Sequence, residues 1–170
     1  MEVGRHEVVA TTKAFRALTN ESSKLNYKHH PKFRSPWEIV NHIGPHGREC
    51  FQAATEGRMD LIDEGQFDLK GPNIYSDPEA AAKSVENYSA KLIDALKNVS
   101  DEAWETKIIP VYWGPMKIMD LPLMKECWMM NNDTIHHRGQ LSSYYRPIGL
   151  AQPGFYGPTA EEEEAMMAAK

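Results

Sequence analysis

The chain has 170 residues, 41% of them hydrophobic and 25% charged, with a net charge of −5 at neutral pH. That is room for one domain with an ordinary core; the acidic balance, without a dense Lys/Arg run, argues against nucleic acid as a partner, and no apolar stretch is long enough to span a bilayer. The N-terminus "MEVGRHEVV" has no apolar segment of the secretory kind, so the expected compartment is the cytoplasm, with Cys50 and Cys127 as buried thiols rather than a disulfide.

Four main helices are expected, at about 4–19, 36–56, 77–98 and 121–146. The first carries Val8, Phe15 and Leu18 on one side, with His6 in its opening turn. A polar connection over 20–34 follows, and its His29 and His30 are expected on the surface. The second helix opens on "SPWE", where Ser35, Pro36 and Glu38 form a capping box with proline at the first helical position. Within it, Gly44-Pro45 separates His42 from His46 and predicts a kink. A polar, turn-rich connection over 57–76 leads to "SDPEAA", a second cap-and-proline start. The stretch "KIIPVYWGPMKIM", 107–119, has the residues of a short hairpin or an extended crossover. The acidic run 161–164 belongs to a solvated C-terminal helix or tail, about 158–170. The expected fold is therefore an all-α four-helix bundle, one domain over 1–170.

The last helix holds the chemistry. At ~100° per residue, Met130, Leu141 and Ile148 lie within about 40° of His137, and so does Asp133. Asp133 and His137 thus sit one turn apart on the core-facing stripe, a spacing at which two side chains can share one metal ion. A structural bridge between the two is the plain alternative. A buried carboxylate needs a strong partner, though, and a divalent cation is one. A third ligand has to come from elsewhere in the bundle, and the second helix offers His42 and His46. Wheel geometry favours His46, nearer the stripe of Ile39, Ile43 and Cys50, but angles counted across a proline are unreliable. His136 projects about 100° away, toward a helix boundary or solvent. Tyr144 and Glu126 point to the same face as His137 and are catalytic candidates, as proton donors or outer hydrogen-bond partners; core packing and a capping contact are their structural alternatives. Arg138 is a salt-bridge partner or an anion binder.

"NNDTIHHRGQLSSYYRPIG" followed by "PGFYGPT", together with "PWEIVNHI", resembles the DinB/YfiT-like superfamily, and with the helix order the resemblance spans the chain. It implies a four-helix bundle, often a homodimer, in which three histidines hold a divalent metal. One histidine lies on the second helix and two form an H-x3-H pair on the last. Some relatives are transferases or isomerases that use low-molecular-weight thiols such as bacillithiol or mycothiol. Carried over, the helix-two histidine falls on His42, against the wheel reading, with His46 as the alternate. The second histidine of the pair falls on His137. Its first falls on Asp133, where this sequence departs from the pattern. The implied site is His42, Asp133 and His137 around a divalent ion, zinc first, with nickel, iron or manganese compatible. The expected function is a metalloenzyme acting on a small molecule by thiol-dependent transfer or hydrolysis. A metal-binding or vestigial dimeric bundle without turnover, in a stress or sensor role, is the alternative.

Overall fold

The computed structural model describes residues 2–61 and 74–169. Most of the expected 57–76 connection falls on residues 62–73, outside the described residues. The elements run α1 (Glu2–Arg16), α2 (Ser22–Leu25), α3 (Pro36–Ile43), α4 (His46–Glu56), β1 (Met59–Asp60), α5 (Pro78–Leu96), α6 (Asp101–Thr106), β2 (Ile108–Trp113), β3 (Met116–Pro122), α7 (Leu123–Ser142) and α8 (Ala160–Ala168). α1 packs against α5 and α7, α4 packs against the same two, and α3 adds to the contact with α7. These helices pack around one another as a bundle. Among the described residues, no helix is long and apolar enough to cross a membrane.

The helix starts follow the caps. The Ser35 side chain accepts from Glu38 N at 3.2 Å, and Glu38 Oε2 accepts from Ser35 N at 2.7 Å, closing the capping box. Asp77 accepts from Ala80 N at 2.7 Å ahead of α5. Each such cap is worth about 1 kcal/mol because it satisfies amide donors that the first turn leaves open. The expected single helix over 36–56 is two helices. Pro45 has no amide hydrogen, and α3 ends before Gly44 and Pro45. A side chain at Gly44 would also meet the Tyr75 ring at 2.6 Å and the Val40 carbonyl at 2.8 Å, so the break packs tightly.

The all-α expectation does not hold. The chain also contains a three-stranded mixed sheet in the order β1-β2-β3, with β1 parallel to β2 and β2 antiparallel to β3. In β2, Ile109 and Val111 are fully buried while Ile108 is exposed, an alternation of period two that a helix cannot bury. Gly114, at φ +57°, supplies the left-handed residue between β2 and β3. The sheet closes one end of the bundle against α4, α6 and α7.

Two apolar clusters result. One gathers Phe15, Ile39, Val40, Ile43, Leu141 and Tyr145; the other gathers Cys50, Ala53, Met59, Ile109, Leu123 and Met130. Along α3–α4 the polar His46 falls between Ile43 of the first and Cys50 of the second. Along α7, Asp133 and His137 fall between Met130 and Leu141. The polar cluster therefore sits at the waist where the two cores meet. Arg138, fully buried, takes the salt-bridge role: it pairs with Glu7 of α1 at 2.6 Å and with the Tyr156 hydroxyl of the "PGFYGPT" segment. This contact ties the C-terminal segment to α1 and α7.

Candidate functional site

The break at Gly44-Pro45 brings both helix-two histidines to α7. Asp133 Oδ2 lies 3.0 Å from His42 Nε2 and 3.6 Å from His46 Nε2, and Asp133 Oδ1 lies 3.5 Å from His137 Nε2. One donor atom each from His42, Asp133 and His137 falls within 4.8 Å of the others, close enough to hold a metal ion. All three are half-buried; the Asp133 side chain is the most open, at 35% exposed.

The hydrogen bonds around this set decide where its lone pairs point. His137 Nδ1 lies 2.8 Å from Gln140 Oε1. An amide oxygen only accepts, so Nδ1 carries the proton, and the neutral ring presents a bare Nε2 to a carboxylate oxygen. Two acceptors facing each other repel unless a cation stands between them. This is the chemical fit of the site to a divalent ion: neutral imidazole nitrogens, one carboxylate, and a ring oriented from behind by a neighbouring oxygen. Gln140 extends the chain outward, its Nε2 2.9 Å from His136 Nε2. His136 itself is exposed, as the wheel placed it.

The electrostatics agree with an anion among neutral rings. Burial works against ionisation of Asp133, but the hydrogen bond from His42 and the fields of His46, His137 and His42 outweigh it and hold its carboxyl down near about 2. Burial, reinforced by His42, lowers His46 to about 4 and outweighs the Asp133 charge. Burial also lowers His137. At neutral pH the carboxylate is ionised and these rings are uncharged, the protonation state in which both ligate metals.

An open groove of about 590 Å³ runs along the outer face of α7, lined by Lys125, Trp128, Met129, Asn132, Asp133 and His136. It borders the His42–Asp133–His137 set at Asp133. Its size is that of a small-molecule cleft.

The two catalytic candidates lie elsewhere. Tyr144 is buried beyond the end of α7, its ring stacked on His29 at 4.2 Å and its hydroxyl donated to the Arg34 carbonyl at 2.6 Å. Glu126 is fully buried seven residues before Asp133, about 10 Å along the helix axis. Neither carboxylate oxygen of Glu126 has a hydrogen-bond partner among the described residues. Burial pushes its carboxyl up to about 7. His29 and His30 are exposed, and exposed His6 stacks on Tyr156 at 5.5 Å. Two residues absent from the sequence reading as orienting groups are Gln140 and Thr134, the latter 2.8 Å from His46 Nδ1. Their signal was a polar side chain three or four residues from Asp133, His137 or Met130 on α7, a spacing that brings neighbours together.

A family model, the DinB family, matches residues 5–167. Among solved structures, a DinB-like protein from Bacillus cereus superposes with a TM-score of 0.64 at 22% identity, over 91% of this chain and 94% of its own. A DinB-like protein from Bacillus subtilis superposes with a TM-score of 0.64 at 18% identity, over 94% of this chain and 100% of its own. No curated protein matches.

Proposed function

The chain belongs to the DinB family, and on that premise we propose that it is a divalent-metal protein acting on a small molecule, with His42, Asp133 and His137 as ligands and zinc as the ion. One observation carries the reading: the bare Nε2 of His137 faces the ionised Asp133 across 3.5 Å, a contact that a cation makes favourable. A bound zinc would supply Lewis acidity and a lowered pKa for a coordinated water or thiol. The protein supplies the rest. Gln140 holds the His137 ring, and His42 reaches Asp133 from α3. The groove beside Asp133 admits the substrate, with the Lys125 ammonium and the Trp128 indole along its wall.

The reaction class we propose is transfer to a thiol or hydrolysis, in a homodimer whose partner covers apolar surface away from the groove, such as exposed Val9 and Phe33. A second reading, a metal-holding bundle without turnover, is favoured by Asp133 itself, which puts a carboxylate in the place of the first histidine of the H-x3-H pair. Zinc titration of the metal-free protein tests the shared premise: tight binding is expected in the wild type and weak binding in His137→Ala. A panel of electrophiles offered with a low-molecular-weight thiol then divides the readings. Product formation that depends on zinc supports the enzyme; tight zinc without product leaves the non-catalytic bundle.

A further inference from the structure

Asp133 meets three imidazoles, and two of them stand at similar distances from it, each on a different carboxylate oxygen. His46 Nε2 stands 3.6 Å from Asp133 Oδ2, and His137 Nε2 stands 3.5 Å from Asp133 Oδ1. Two donors on one tetrahedral zinc lie about 3.3–3.4 Å apart when the bonds are ~2.0–2.1 Å. Both pairs are near that spacing.

The protons match as well. The Thr134 hydroxyl has a single proton, which it donates to the Met130 carbonyl at 2.9 Å. The 2.8 Å contact between Thr134 Oγ1 and His46 Nδ1 must then take its proton from the ring. His46 is thereby fixed with hydrogen on Nδ1 and a bare Nε2 toward the carboxylate. His137 is fixed the same way by Gln140 Oε1. A ring that gives one nitrogen's proton to a protein oxygen and keeps the other nitrogen bare toward an anionic ligand has the arrangement of a metal-bound histidine. His46 is also the most enclosed of the three rings, its side chain 9% exposed against 20% for His42 and 14% for His137.

We propose that His46 is a fourth protein ligand of the centre, that His42, His46 and His137 with Asp133 form a three-nitrogen, one-oxygen set, and that Thr134 is the positioning residue of His46. The proposal rests on the metal reading above and deepens it: His42 and His46 are partners in one site. His46 lies at the edge of the set, outside the three whose donor atoms all fall within 4.8 Å of one another, and would reach an ion held there by turning its ring. The chain then regains three histidines although Asp133 stands in the H-x3-H pair. Four protein donors would fill a tetrahedral ion, so a substrate could reach it only by expansion to five-coordination.

The test uses the intact protein loaded with cobalt(II). In its proton spectrum in water, every histidine bound through Nε2 contributes one strongly shifted ring N–H signal that vanishes in deuterium oxide. Three such signals are expected, and two would overturn the proposal. Zinc competition with a chromophoric chelator adds a second measurement. His46→Gln is expected to weaken binding by more than 100-fold, as His137→Gln does, and Thr134→Val by 10–100-fold, the cost typical of an orienting partner. Wild-type affinity in His46→Gln, beside loss in His137→Gln, sinks this inference and leaves the metal reading standing. Wild-type affinity in both sinks the metal reading itself.

Discussion

Asp133 brings a negative charge to a place where an imidazole would be neutral, and three ring nitrogens lie within 3.6 Å of it. Asp133→Ala is expected to weaken zinc binding by at least 10–100-fold, since removing even an orienting partner costs that much. Asp133→His is expected to stay within about tenfold of the wild type, because imidazole suits zinc. Equal titration curves for wild type and Asp133→Ala would make the carboxylate a bystander. The Asp133–His137 pair was legible from spacing alone, because residues four apart share a helix face. The choice between His42 and His46 was not, because it depends on how the chain turns at Pro45. Glu126, two turns away, carries a different prediction. Its carboxyl is raised from 4.5 to about 7 by burial. Below pH 4.5 both folded and unfolded chains hold this proton. Between 4.5 and about 7 the unfolded chain releases it while the folded one keeps it, so stability falls as pH rises through this window and levels off above it. At ~1.4 kcal/mol per pH unit the loss is at most about 3 kcal/mol. Glu126→Gln removes the titration, and urea unfolding of the variant should show that much less decline between pH 5 and 8. A decline parallel to the wild type's would refute the assignment.

The elements show where a pattern read along the chain succeeds and where it stops. Gly44 and Pro45 end α3 before Gly44 and start α4 at His46. Gly44→Val would drive a side chain into the Tyr75 ring and the Val40 carbonyl. A stability loss of about 1–3 kcal/mol is expected in urea, the usual cost of overpacking. Zinc affinity should fall with it, because the offset between His42 and His46 is set at this break. A destabilised variant with unchanged zinc affinity would separate the break from the site. The helices carrying caps or proline starts were readable because Ser35, Asp77 and Pro78 act locally. The sheet was not. Pro110 argues against a strand interior, yet it lies in β2, the middle strand. The reason is that β1 pairs only with Val111 and Tyr112, so Pro110 sits on a stretch paired with β3 alone. β1 itself has two residues, Met59 and Asp60, too few to carry any periodicity. Its partner is about fifty positions away, and that distance is invisible to a local pattern.

At the scale of the whole molecule, the bundle has two apolar clusters and places its polar centre between them. Exposed Val9 and Phe33 lead us to expect a homodimer, and sedimentation at micromolar concentration giving only monomer would count against it. An ion at the waist would join α3 and α4 to α7, elements brought together by folding and separated in the unfolded chain. Binding confined to the folded state stabilises it by RT ln(1 + [L]/Kd), about 2.7 kcal/mol at a hundredfold excess over Kd. For a chain of this length each kcal/mol moves the midpoint by roughly 2–4 °C, so zinc should raise Tm by about 5–10 °C. A chelator should reverse the shift. Asp133→Ala and His137→Ala should show a clearly smaller zinc-induced rise, because a site weakened 10–100-fold is left with only about a one- to tenfold excess over its Kd at the same zinc concentration. A zinc-induced rise of equal size in those variants would place the bound ion somewhere other than the waist of the bundle.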